Sequence, residues 1–352
     1  MKKKILISTG GTGGHVIPAL NLYNHLKNKF EVNIYTDLRG SKYIPNEIKK
    51  TIFEVKKIPE KKYLFPLKVF FLFISFIKSL IHFFCTKIDF VISTGGYMSL
   101  PIVLAAKVFR KKIILFEPNS IIGRSNKFLL RFSDKIICYD GNIITSTKKV
   151  VIEPLLNNCF YLKKKKSNVN SDSLKILIIG GSQSSLFFSK NLKNEIINLS
   201  KKYKIEITQQ LSSGFEIDNF KKEYEDNDIK NHLFFFEDNL LCKNSEFDIA
   251  ITRAGASSLA ELSYLNIPFI SIPFPHATDN HQYLNAKRYY DLNCCWILQE
   301  KTFNSGDIYK IINQIMIDKK EYSLKKSNLL KLNKSNTWEK LNQKIIDHIN
   351  EN

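Results

Sequence analysis

The chain lacks several patterns that would assign a function at once. Its six cysteines, Cys85, Cys138, Cys159, Cys242, Cys294 and Cys295, include no CxxC spacing. That is a poor disulfide or zinc pattern, so reduced, mostly buried thiols of a cytosolic protein are expected. The opening MKKKILISTGG starts basic, but its apolar run is only Ile5-Leu6-Ile7 before Ser8. The run is too short for a signal peptide. Arginine is scarce, six of the 53 basic residues against 47 lysines, and the net charge of +20 is scattered with them. A basic surface favours anionic partners such as phosphorylated substrates or an acidic bilayer. No basic helix with interleaved aromatics appears, so no nucleic-acid partner is expected. Low-complexity stretches are also absent, and with 44% apolar and 24% charged residues the chain reads as globular.

What is present is a repeated plan. At 352 residues the chain is long enough for two domains, each with its own core. Lys4-Ile5-Leu6-Ile7-Ser8 ends in glycines and leads into a helical pattern from Pro18 to Leu26, as a buried parallel strand entering a helix does. LKILIIGGS from Leu174 repeats this opening, and DFVISTGG from Asp89 parallels DIAITRAG from Asp248. The fold class expected is α/β, two parallel-sheet domains with glycine turns at the carboxyl ends of strands. The expected boundaries are an N-terminal domain over 1–155, a linker over 156–173 where lysines, Ser and Asn replace the pattern, a C-terminal domain over 174–330 and a helical tail over 331–352.

Tyr63 to Cys85 is long enough to span a bilayer, but Lys68 and Lys78 interrupt it. A charge near the centre of a span costs a few kcal/mol. Ten residues apart, the two lysines fall toward one side of a helix. An in-plane helix with an apolar patch and a basic rim fits better than a span, with a plain core helix as the other reading.

The glycine turns invite a diphosphate, because bare backbone amides and a helix start attract negative charge. Yet GGTGGHV puts Val16 where G-x-G-x-x-G needs its third glycine, and no GK[ST] follows. Dinucleotide and ATP sites of the usual kind are therefore poor assignments. His15 beside these glycines suits a general base near neutral pH, a donor to phosphate or acceptor, or a structural turn residue.

Taken in order, Gly13-Gly14-His15, Gly95-Gly96-Tyr97, Gly180-Gly181-Ser182-Gln183, RAGASSLAE from Arg253, Pro273-Phe274-Pro275 and NHQYLNA from Asn280 make the chain resemble the MurG family of bacterial UDP-N-acetylglucosamine transferases, over nearly its whole length. The resemblance implies a glycosyltransferase of the GT-B fold, two Rossmann-like domains facing across a cleft. The C-terminal domain would hold UDP-GlcNAc and the N-terminal one an undecaprenyl-diphosphate-linked MurNAc-pentapeptide. Attack by the sugar's 4-hydroxyl would give lipid II with inversion, without cofactor or metal, at the cytoplasmic face of the membrane, reached through Tyr63 to Cys85.

The resemblance also implies roles. His15 is the candidate base, with Thr12, Gly13, Gly14, Tyr97, Ser99 and Asn119 on the acceptor side. Glu261 would accept hydrogen bonds from the ribose hydroxyls. Ala256, Ser257, Ser258, Leu259 and Ala260 would offer backbone amides to the diphosphate, and Ser182 a hydroxyl. Gln282 would read the sugar hydroxyls with Asn285 supporting its loop, and Phe236 counts with the substrate contacts. Two departures stand out: Phe116-Glu117-Pro118-Asn119 replaces the family's HEQN, and Leu156 stands where the family has an arginine.

Other readings are weaker. Asp226-Asn227-Asp228 is a D-x-D of the kind that binds Mn²⁺ in other glycosyltransferases, but it lies in the polar run KKEYEDNDIKNH, as a solvated loop would. A UDP-GlcNAc 2-epimerase would share the two-domain plan without needing the apolar patch or the GGTGGHVIPAL and NHQYLNA pair. A non-enzymatic basic scaffold would bind through charge and would not depend on Glu261.

Overall fold

The computed structural model describes residues 2–53, 65–162, 173–181 and 185–351. The chain divides into two compact units, residues 1–158 with 336–352, and residues 159–335.

The first unit is built on seven strands: β1 (Lys4–Ser8), β2 (Glu31–Thr36), β3 (Lys50–Ile52), β4 (Phe90–Ser93), β5 (Lys112–Glu117), β6 (Lys135–Cys138) and β7 (Lys149–Val151). All pairings are parallel, in the order β3-β2-β1-β4-β5-β6-β7. The continuous Ile, Leu and Val runs follow from this, because helices cover both faces of a parallel sheet. Among the described residues the α-helices between these strands are α1 (Gly13–Leu26), α2 (Phe65–Cys85), α3 (Ser99–Val108) and α4 (Arg124–Leu129).

The one-turn helix α5 (Asn158–Tyr161) begins on the boundary, and the second unit repeats the plan with β8 (Leu174–Ile179), β9 (Ile205–Gln210), β10 (Lys230–Phe234), β11 (Ile249–Thr252), β12 (Phe269–Ser271) and β13 (Cys295–Ile297). Their order is β10-β9-β8-β11-β12-β13, again all parallel. Its helices are α6 (Leu186–Ser200), α7 (Ile217–Glu225), α8 (Leu240–Lys243), α9 (Ala256–Tyr264), α10 (His281–Asp291), α11 (Asp307–Ile317) and α12 (Lys320–Leu332). In each sheet the order reverses between the first strand and its neighbour, β1 and β4 or β8 and β11. The two pairs of similar sequences are the strands at these switch points, where open parallel sheets bind ligands.

The C-terminal segment is split. Helix α12 belongs to the second unit, and α13 (Trp338–Asn350) belongs to the first. Leu341, Ile345 and Ile349, one helical turn apart, are buried along α13. Trp338 stacks on the buried His25 of α1 at 4.0 Å between ring centroids. His25 Nε2 lies 3.1 Å from the Leu156 carbonyl oxygen and Nδ1 2.5 Å from the Asn342 side-chain amide. Burial, only partly offset by these bonds, pushes its pKa down to about 4.

Helix α2 is amphipathic about two apolar faces. Phe83 is buried and Phe76 and Leu80 pack against the same core, while His82 bonds the hydroxyl of Tyr35 on β2. The opposite stripe, Phe70, Phe73, Ile77, Ile81 and Phe84, is exposed, as is Lys78. Among the described residues no helix is long and apolar enough to cross a membrane. Tyr63 and Leu64, at the start of the expected segment, lie outside the described residues, as do 163–172 of the expected linker.

One expectation fails. Cys159 on α5 and Cys242 on α8 are joined in a disulfide, with Cα atoms 5.8 Å apart. Eighty-three residues separate them in sequence, so linear spacing could not reveal the pair. Cys138, Cys294 and Cys295 are free and buried, and Cys85 is free and exposed.

Candidate active site

In the first unit the turn after β1 carries the sequence's densest glycines. Gly11 has φ +88°, a left-handed conformation open chiefly to glycine. Its amide donates to Asp37 Oδ1 at 2.9 Å, and the Gly40 amide donates to the same oxygen at 2.8 Å. Arg39 Nη2 pairs with Asp37 Oδ2 at 3.1 Å. Burial raises the Asp37 pKa, but these donors outweigh it and hold the carboxyl below its usual range. Asp37 sits just past β2, where dinucleotide folds keep an acid for ribose. Here it is committed to shaping the glycine turn, in line with the missing third glycine.

Thr12 is the N-cap of α1 and makes no side-chain capping bond. Gly13, Gly14 and His15 form the first helical turn. His15 reaches across to the turn after β4: its Nδ1 lies 2.9 Å from the Thr94 carbonyl oxygen, and Thr94 Oγ1 donates to the His15 carbonyl at 3.1 Å. A carbonyl only accepts, so Nδ1 carries the proton in the neutral ring and Nε2 keeps a free lone pair. Gly95 and Gly96 have φ +90° and +87°. A Cβ on Gly95 would meet the His15 ring at 3.2 Å, and one on Gly96 the Gly10 carbonyl oxygen at 3.0 Å. These glycines are what lets the two turns interlock.

Tyr97, beside them, is 38% exposed, and the partial burial of its ring raises its pKa. Ser99 does not line the acceptor side. It is fully buried, donating 2.8 Å to the Gly95 carbonyl and sitting 3.3 Å from the Ser8 carbonyl, so it braces the turn from behind.

Asn119 follows β5, and its Nδ2 donates to Glu117 Oε1 at 2.9 Å. The buried Glu117 also accepts from the Gly123 amide at 2.8 Å and from Asn126 Nδ2 at 3.0 Å, both through Oε2. In FEPN, therefore, the glutamate organises the loop. The Phe116 ring is buried edge-on against Tyr139, while its carbonyl accepts from Asn126 Nδ2 at 3.2 Å. Leu156, at the arginine position, is likewise buried.

In the second unit, Gly181 after β8 has φ +81°. Ser182 lies outside the described residues. Gln210, at the end of β9, donates from Nε2 to the Phe235 carbonyl at 3.0 Å and accepts the Gly180 amide at 3.0 Å. It thereby ties the glycine turn to the loop that carries Phe236, whose ring is exposed.

Gly255 is the N-cap of α9. The Leu259 amide already donates to the Gly255 carbonyl at 3.0 Å, and both Leu259 and Ala260 are buried. Only Ala256, Ser257 and Ser258 then stand in the first turn where helix amides have no intrahelical acceptor, so the five-residue expectation narrows to three. Glu261, in the second turn, is partly buried, and burial pushes its carboxyl up to about 7.

Gln282 on α10 accepts the Phe274 amide through Oε1 at 2.9 Å, which leaves its NH₂ end for donation. Asn285, buried on the same helix, donates to the Ala254 carbonyl at 3.0 Å and so fixes the approach to α9. The end of β11 is held by Arg253, which bonds the Ile272 carbonyl at 3.0 Å and pairs with Glu300 at 2.5 Å. Asp226 and Asp228 flank the turn that ends α7, with Asp228 left-handed at φ 55°. Among the described residues no group of three or more His, Cys, Asp or Glu is arranged to hold a metal ion.

Sequence reasoning missed Asp37, Glu117, Gln210 and Arg253. All four share one signal, a polar side chain at or just past the carboxyl end of a parallel strand. Such a residue is buried only when it has backbone groups to bind.

The N-terminal domain profile of glycosyltransferase family 28 matches residues 5–138, and its C-terminal domain profile matches residues 175–343. The UDP-N-acetylglucosamine--N-acetylmuramyl-(pentapeptide) pyrophosphoryl-undecaprenol N-acetylglucosamine transferase of Pelagibacter ubique is 44% identical, covering 100% of both chains. The protein of the same name from Rickettsia bellii is 35% identical over 94% of this chain and 96% of its own. The fold is also that of the crystal structure of Acinetobacter baumannii MurG, with TM-score 0.79 at 20% identity, over 99% of this chain and 100% of that one. An enzyme built on two parallel-sheet units with glycine turns at their switch points, the chain belongs to glycosyltransferase family 28.

Proposed function

We propose that this glycosyltransferase moves N-acetylglucosamine from UDP-GlcNAc to the 4-hydroxyl of the MurNAc-pentapeptide on undecaprenyl diphosphate, inverting the anomeric carbon and giving lipid II. The observation that carries the reading is the full-length 44% match to the Pelagibacter ubique transferase. The N-terminal unit takes the acceptor and the C-terminal unit the donor.

His15 supplies the base. With Nδ1–H engaged by Thr94, Nε2 removes the proton from the 4-hydroxyl as its oxygen forms the bond to the sugar's C1. The bond from C1 to the UDP oxygen breaks in the same displacement, so no covalent nucleophile is needed. Negative charge then grows on the diphosphate, where the first-turn amides of α9 stabilise it. The Glu261 carboxylate accepts from the ribose hydroxyls, Gln282 donates to the GlcNAc hydroxyls, and Phe236 flanks the base. Thr12, Gly13, Gly14, Tyr97 and Asn119 line the acceptor side.

The exposed stripe of α2 rests in the headgroup boundary of the cytoplasmic leaflet, which brings the lipid-linked acceptor within reach. A direct test is transfer of radiolabelled GlcNAc from UDP-GlcNAc to a lipid I analogue, with and without EDTA. Labelled disaccharide product in both conditions is expected. Release of free 2-epimerised sugar without transfer would replace the reading with an epimerase.

A further inference from the structure

We propose that Cys159 and Cys242 are a reversible thiol-modification site, a disulfide clamp that tightens the donor site when closed. The inference rests on the donor reading above and adds its regulation. Helix α8, which holds Cys242, directly follows the loop of Phe235 and Phe236. It is a single turn with Leu241 as its buried residue, and a helix so short has little stability of its own. Gln210 holds the start of the loop through the Phe235 carbonyl at 3.0 Å, and beyond it Glu237 adds surface pairs with His232 at 3.0 Å and Lys243 at 3.3 Å. Such pairs contribute little.

The other end of the bond is placed differently. Cys159 lies on α5, whose Phe160 is buried and whose Tyr161 packs edge-on against Tyr264, with ring centroids 5.1 Å apart. Tyr264 is on α9, three residues after Glu261 and so on the same side of that helix. The disulfide therefore joins the far end of the Phe236 loop, whose start Gln210 holds, to a segment docked on the Glu261 helix. Both cysteines are half-buried, within reach of a small thiol reagent. A cross-link between them in a reducing compartment would be intermittent, as in redox-sensing pairs.

The chemistry is thiol–disulfide exchange with a small disulfide such as oxidised glutathione. One thiolate attacks the reagent and expels a glutathione thiolate, and the second attacks the mixed disulfide and expels another. The two protons lost by the cysteines end on two glutathione thiols, and the bond between Cys159 and Cys242 replaces the bond between the glutathiones. Closure fixes the loop in advance, which lowers the ordering cost of donor binding.

The test uses the full-length protein with Cys85→Ser, which removes the exposed free thiol. It is equilibrated in reduced or oxidised glutathione, the thiols are counted by alkylation and mass spectrometry, and UDP affinity is measured by calorimetry. Oxidation should protect two cysteines and tighten UDP binding by roughly threefold to tenfold, and dithiothreitol should reverse both. Cys159→Ser and Cys242→Ser should each bind UDP like the reduced protein and ignore the buffer. Two alkylatable thiols under oxidation, or equal UDP affinity in both states, would overturn the clamp. Unchanged UDP affinity in Glu261→Ala would instead overturn the donor reading, whatever the cysteines do.

Discussion

His15 Nδ1 and the Thr94 carbonyl oxygen lie 2.9 Å apart, and the Thr94 hydroxyl returns a bond to the His15 carbonyl. The pair locks the imidazole tautomer across two strand ends, so Nε2 is the nitrogen free for chemistry. Replacing His15 with alanine should lower turnover by about 10²–10⁴-fold. UDP affinity should stay within twofold of wild type by calorimetry, because the donor reading places that ligand on the other unit. A variant with full turnover would remove His15 from the reaction.

The glycines behind the histidine make a sharper test of geometry. Gly95→Ala puts a methyl group 3.2 Å from the His15 ring at a left-handed φ. Turnover should fall by at least tenfold, with UDP affinity preserved. Gly96→Ala meets backbone at 3.0 Å, which cannot rotate away, and should cost about 1–3 kcal/mol of stability in urea unfolding.

Glu261 sets a pH dependence. Its carboxyl is pushed up to about 7 by burial, and in the donor role proposed for it only the ionised form would accept from both ribose hydroxyls. UDP should bind more tightly at pH 8 than at pH 6, and Glu261→Gln should weaken binding and flatten that slope. Stability runs the other way. A carboxyl whose folded pKa lies above its unfolded value stabilises most below about 4.3, and that contribution is lost as pH rises through about 7. Thermal melts of wild type against Glu261→Gln across this window should show the difference.

His25 has the opposite sign. Its folded pKa of about 4 lies below the usual 6.5, so its contribution is complete above pH 6.5 and disappears as pH falls through 4. Trp338, stacked on the ring, should report the loss in its fluorescence. His25→Ala should cost about 1–3 kcal/mol, since it strands the buried groups that the ring now satisfies.

For α2, the expectation is membrane binding through the outer stripe alone. Phe73→Glu with Ile81→Glu should abolish sedimentation with anionic vesicles and leave UDP affinity unchanged, because both side chains are exposed and outside the core. Loss of folding in the double variant, read by circular dichroism, would show that the stripe packs on protein instead.

Much of this architecture was legible in the sequence because parallel strands buried on both faces leave continuous apolar runs, and left-handed turns leave glycines. Gly11, Gly95, Gly96 and Gly181 all adopt positive φ where the glycine motifs fall. Ser99 and Leu259 depart from the expectation for one reason: a motif shows which residues are near a site and not which way each points. Ser99 turns inward to two carbonyls, and the Leu259 amide is consumed by the first closed helical bond.

The sequence by itself determined the two parallel sheets, their switch-point turns and the family, since hydrophobic period and glycine placement are local properties that survive in the linear order. Tertiary structure alone decided the rest. The disulfide between Cys159 and Cys242, the return of α13 to the first unit, the brace of Gln210 between Gly180 and Phe235, and the tautomer of His15 each depend on groups far apart in the chain. Such contacts exist only once strand order has brought the ends of the strands together, and no local pattern encodes their distances.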